Sequence, residues 1–123
     1  MIGKHRNMRV QLILPPSVQV FSRSKWMMPL GLLSIATCLK KRVPFANIDV
    51  IDGNVASEDE ISDTLVGDIV GISIHTATLE SSKRIAQIAK HNGATVVAGG
   101  PLATAYGKSL RKQIKEIDYI VKG

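Results

Sequence analysis

The side chains able to react or to bind gather in two short clusters. Ser73-Ile74-His75-Thr76 offers two hydroxyls and an imidazole; Gly99-Gly100-Pro101 offers backbone with no side chain over it. As a general base His75 would need a carboxylate to orient it, and none is identifiable nearby. As a metal ligand it would need companions, and His5 and His91 do not stand at ligand spacing. That leaves His75 as a polar residue lining a pocket. Ser73 and Thr76 can hydrogen-bond a ligand or cap the helix that follows, and capping is the stronger account for Thr76 or Thr78 than for Ser73. A tight strand-to-helix turn accounts for one glycine. Two, followed by Pro101 and the small residues Ala103, Thr104 and Ala105, favour an open floor for a bulky ligand. Cys38 is the only cysteine, which excludes a disulfide within one chain and an all-cysteine metal or iron–sulfur site. Between Thr37 and Leu39 in a helical stretch, it reads as a small buried residue.

Other chemistries are excluded by absence. There is no G-x-G-x-x-G, no G-x-x-x-x-G-K-[ST] and no G-x-S-x-G. The first strand is followed by Pro15-Pro16 where a phosphoryl-accepting domain would carry acidic residues. These features point to a binding domain rather than a self-contained enzyme. No apolar run approaches the ~18 residues of a membrane-spanning helix. The N-terminus lacks the apolar stretch of a signal peptide, so a cytoplasmic location is expected.

The elements that must position the two clusters follow from patterning. Met8 to Leu14 reads as a strand stopped by Pro15 and Pro16. "PLGLLSIATCLKKR" reads as a helix with Leu32, Ala36 and Leu39 on one face. Ala46 to Asp52 is a second strand. Ser57 and Glu60 match a capping box that opens a short helix through Leu65. "DIVGISI" is nearly continuous in apolar residues, as in a strand buried on both faces. Thr78 to Asn92 is a helix with Leu79, Ser82, Ile85, Ala86 and Ala89 inward and Gly93 just past its end. "ATVVAGG" is the fourth strand, Ala103 to Lys115 a helix with Leu110 and Ile114 inward, and Asp118 to Val121 a fifth strand.

With 123 residues, 45% of them hydrophobic and only 4% aromatic, one domain with an aliphatic core is expected. Alternating strands and helices, joined by right-handed crossovers, predict an α/β fold: a doubly wound five-stranded parallel sheet of flavodoxin-like or Rossmann type, strand order 2-1-3-4-5. Ligands of such sheets bind outside the carboxyl ends of the strands at the switch point, here between strands one and three. Both clusters fall on that edge.

The succession "LILPPS", "PLGLLSIATCLKKR", "IDVIDGN", "DIVGISIHTAT", "TVVAGGPLAT" and "IDYIVKG" resembles the N-terminal cobalamin-binding domain of cobalamin-dependent radical S-adenosylmethionine enzymes. The resemblance runs from about Arg9 to Gly123. It implies cobalamin (vitamin B12) held across the C-terminal edge of the sheet. Ser73 and Thr76 would lie near the buried nucleotide tail, with His75 as a polar residue lining the cofactor pocket. Gly99, Gly100, Pro101, Ala103 and Thr104 would line its channel, and Pro15, Pro16, Pro29, Leu30 and Gly31 would lie beside the corrin face. Members that ligate cobalt with histidine carry Asp-x-His-x-x-Gly after the first strand. Leu14-Pro15-Pro16-Ser17 stands there instead, so base-off binding without a histidine ligand is expected, with Trp26, Met27 and Met28 as candidate neighbours of the lower cobalt face.

The Cys-x-x-x-Cys-x-x-Cys motif of radical S-adenosylmethionine domains is absent. The chain is therefore expected to be a fragment or excised domain, not catalytic alone. Its parent would be a methyltransferase, with the iron–sulfur cluster and S-adenosylmethionine in a missing C-terminal domain. Two rivals remain. One is a cofactor-free scaffold or interaction domain of the same fold. The other is a nucleic-acid-binding domain, which has only the net charge of +6 in its favour. Its basic residues cluster at Lys4–Arg9, Lys40–Arg42 and Lys108–Lys115 without interleaved aromatics, so a solvated basic surface or an acidic partner domain explains them better.

Overall fold

The computed structural model describes residues 8–16, 30–53 and 55–122. Five parallel strands form one sheet in the order β2-β1-β3-β4-β5: β1 (Arg9–Leu14), β2 (Asn47–Asp52), β3 (Ile69–Ser73), β4 (Thr95–Gly99) and β5 (Tyr119–Ile120). Helices α1 (Leu30–Arg42), α2 (Glu58–Asp63), α3 (Leu79–His91), α4 (Pro101–Tyr106) and α5 (Leu110–Gln113) fill the crossovers. This is the flavodoxin-like arrangement. Among the described residues no helix is long and apolar enough to cross a membrane.

Two apolar clusters sandwich the sheet. Alternate strand residues point to opposite faces, so the register sorts them. Val10 and Leu12 pack with Leu32 of α1, with Ala36, Leu39 and Ile69 around them. Ile13, Val70, Ile72, Ile74, Val96 and Ala98 form the larger cluster with Ile61 of α2, Ile85, Ala86 and Ala89 of α3, and Leu110 and Ile114 at the far end. The middle of β3 is buried on both faces, as its uninterrupted apolar run demands.

Local chemistry closes the elements where expected. The Glu60 amide donates to Ser57 Oγ and the Ser57 amide donates to Glu60 Oε1, so the capping box at α2 is formed. These bonds hold the Glu60 carboxylate below its ordinary pKa, the Ser57 backbone bond most strongly. Gly93 follows α3 with φ of 88°.

Two expectations need correction. The single helix over 103–115 is two helices separated by a 3-10 turn at Gly107–Ser109. It starts early because Pro101 suits the first helical position. It breaks at Gly107, whose φ of 52° lies outside the right-handed helix. Cys38 is exposed rather than buried. α1 turns Leu32, Ala36 and Leu39 to the sheet, and Cys38 falls on the other side.

Candidate functional site

Strand register decides what stands at the C-terminal edge. Val10 pairs with Ile69 and Leu12 with Gly71, which puts the odd-numbered residues of β3 on the α1 face. Ser73, the last of these, pairs with Gly99 of β4 on the same face. Both are half-buried. The hydroxyl of one cluster and the first glycine of the other are therefore neighbours across the ladder.

The two glycines do different things. A Cβ on Gly100 would stand 2.8 Å from the Ile74 amide nitrogen, 2.9 Å from Ser73 Oγ and 3.0 Å from the Ile74 carbonyl oxygen, and its φ is 93°. Gly100 is there so that the β3 and β4 exits can touch. Hydrogen bonds fasten that contact: the Ile74 amide donates to the Gly99 carbonyl at 2.9 Å, and the Leu102 amide to the Ile74 carbonyl at 3.1 Å. A Cβ on Gly99, by contrast, would meet nothing within 4 Å among the described atoms. The turn explanation therefore accounts for Gly100, and the open-floor explanation is left to Gly99.

The exit of β1 is pinned from two sides. A Cβ on Gly53 would fall 2.4 Å from the Leu14 carbonyl oxygen and 2.4 Å from the Pro16 nitrogen, and the Gly53 amide donates to that carbonyl at 2.7 Å. From the other side, the buried Ser81 hydroxyl of α3 donates to the Pro16 carbonyl at 2.7 Å. Pro15 is buried and Pro16 half-buried. Gly53 shows in the sequence only as a turn residue. Ser81, one of two adjacent serines in the first turn of α3, carries no signal that would single it out.

His75 and Thr76 follow β3. The His75 amide donates to Thr78 Oγ1 at 2.9 Å, and the Thr78 hydroxyl donates to the His75 carbonyl at 3.2 Å. Thr78 stands at the N-cap of α3, but its side chain makes no capping bond to that helix and instead holds the His75 backbone. Thr76 is exposed. The half-buried His75 imidazole is pushed below its ordinary pKa by burial alone, which favours its neutral form. No group of three or more His, Cys, Asp or Glu among the described residues could hold a metal ion.

The other sequence candidates are dispersed. Pro101 and Thr104 are exposed on α4, whereas Ala103 is 0% exposed inside the larger apolar cluster. Leu30 and Gly31 open α1. Pro29, Trp26, Met27 and Met28 lie outside the described residues. What the described residues offer is backbone free of a side chain at Gly99, with the Ser73 hydroxyl beside it on the same face of the sheet. It suits a large neutral or amide-bearing ligand better than a charged one.

A scan against protein-family models finds a match over residues 17–123, described as B12-binding: B12 binding domain. The matched span takes in every element except β1. A search of the curated proteins found no match.

Proposed function

The chain belongs to the B12 binding domain family, and from that premise we propose that it is a cobalamin-binding module holding a base-off corrin across the C-terminal edge of its sheet. The carrying observation is Gly99: the family's ligand is a large macrocycle with an amide-rimmed edge and a nucleotide tail, and no atom of the described residues lies within 4 Å of where a Cβ would stand. Ser73 would hydrogen-bond the tail, with Thr76 and His75 as further polar contacts. Gly100, Pro101 and Thr104 would shape the channel wall, with Ala103 packed behind them in the core. Pro15 and Pro16 would sit beside the corrin, held in place by Ser81 and Gly53, with Pro29, Leu30 and Gly31 at the same face. The β1 exit presents no imidazole, which favours binding without a histidine to cobalt.

When bound, the cobalt would carry a transferable methyl group, while the protein orients the macrocycle and excludes water. The parent reaction we assign is that of a radical S-adenosylmethionine methyltransferase, whose partner domain would hold the iron–sulfur cluster. Joined to such a domain, the module would support methyl transfer only with corrin bound.

Mixing the purified chain with hydroxocobalamin, desalting it and recording the visible spectrum tests the reading. A retained one-to-one corrin in base-off form is expected. A base-on spectrum would overturn the ligation mode and keep cobalamin as the ligand. A colourless, cooperatively folding protein would overturn the module in favour of a cofactor-free scaffold.

A further inference from the structure

The flank of the sheet opposite α1 carries a second concavity. A groove of about 310 Å³ runs between the outer face of α3 and the end of α5, lined by Lys83, Gln87, Lys112, Gln113, Lys115 and Glu116. No apolar residue lines it. It is separate from the Ser73–Gly99 shelf, which lies on the α1 face of the sheet.

The cations of this flank divide into two sets. Lys90 is tied to Asp118, and Arg111 donates to the Ile117 carbonyl at 3.0 Å. Both are occupied with internal contacts. Lys83, Lys112 and Lys115 enter no ion pair among the described residues, and all three are exposed. With Glu116 the only acid in the lining, the groove carries a local excess of positive charge.

The geometry points to a docking groove for an acidic polypeptide segment of a partner protein. Three ammonium groups on two walls match spaced carboxylates. Gln87 and Gln113 present amides that both donate and accept, as a peptide backbone requires. Glu116 decides between anions. A peptide brings backbone N–H donors to a carboxylate, whereas a phosphodiester chain brings mainly acceptors and is repelled by it. The absence of aromatics from the groove also disfavours stacking of bases.

The test is fluorescence anisotropy of a labelled ten-residue peptide of alternating Glu and Ala, titrated with the full chain at low salt. Saturable one-to-one binding is expected, weakened roughly tenfold in the Lys83→Gln/Lys112→Gln/Lys115→Gln variant, since exposed ion pairs each contribute little. Lys40→Gln/Lys41→Gln/Arg42→Gln removes the same charge elsewhere and is expected to change affinity less than twofold. Thermal melts of both variants confirm folding. Equal loss in the two variants would show non-specific attraction and overturn the proposal. So would an absence of binding, or tighter binding of a single-stranded RNA ten-mer at the same salt. Corrin retention, read on the same variants, is expected to be unchanged.

Discussion

Substituting alanine at Gly99 and at Gly100 separately should give opposite results, although the residues are adjacent and chemically identical. At Gly100 the backbone has φ of 93° and ψ of −177°, a region open almost only to glycine. An added Cβ would also stand 2.8 Å from a backbone nitrogen that is itself hydrogen-bonded. Strain of 1–3 kcal/mol from the dihedrals, plus displacement of the Ile74 backbone, gives a loss of about 3 kcal/mol. For a domain of this size that lowers the melting temperature by roughly 10 °C. At Gly99 the backbone is ordinary strand and a methyl group meets no atom of the described residues within 4 Å. Gly99→Ala should leave stability unchanged or raise it by about 0.5 kcal/mol, because a strand glycine costs more chain entropy than alanine. Gly99→Leu should fold as well and fail to retain corrin. Calorimetry gives the first pair of values, and the desalted visible spectrum gives the second. The reasoning is refuted if both alanine variants lose stability equally, or if Gly99→Leu keeps a stoichiometric corrin.

Four further outcomes are expected. Gln11→Leu should cost about 2–3 kcal/mol in urea unfolding, because its buried amide accepts from the Val66 and Gly67 amides at 3.2 and 2.8 Å and donates to the Thr64 carbonyl. The Asp118 carboxyl is raised by burial but brought below its ordinary pKa by bonds from Lys90 and the Val96 amide and by the charges of Lys90 and Arg111. Its stabilisation is therefore present above about pH 4 and is lost as pH falls through the lower folded value, so the stability gap to Asp118→Asn should close in acid. His75, lowered by burial, binds its proton more readily when unfolded; its contribution is present above about pH 6.5 and is lost as pH falls through the lower folded value, so wild type should weaken relative to His75→Gln as pH drops below about 6.5. Cys38, exposed on α1, should react with Ellman's reagent in the native protein without a lag, whereas a buried thiol would wait for unfolding.

Strand identities, strand order, the capping box and the inward residues of α1 and α3 were legible because each rests on local rules: period, caps, and the right-handed crossover. The edge on which both clusters fall was legible too, since parallel strands all end on one side. What the sequence could not separate were residues alike in type and unlike in surroundings. Gly99 and Gly100 are one dipeptide, yet one has no described atom within 4 Å of its Cβ position and the other faces the Ile74 backbone. Ser81 and Ser82 are adjacent. Ser81 holds the exit of β1, whereas the buried Ser82 hydroxyl has no partner among the described residues. Gln11, in the middle of an apolar run, gave no sign that it would fasten the loop ahead of β3. Cys38 and the broken helix at Gly107 went the same way. Helical periodicity constrains spacing but not which face the rest of the chain will cover, and a φ value is set by what must pass nearby. By itself the sequence determined the fold and the edge where a ligand would lie. Only the tertiary structure decided which atoms at that edge are used in packing and which are left open, because those distances depend on residues far apart in the chain.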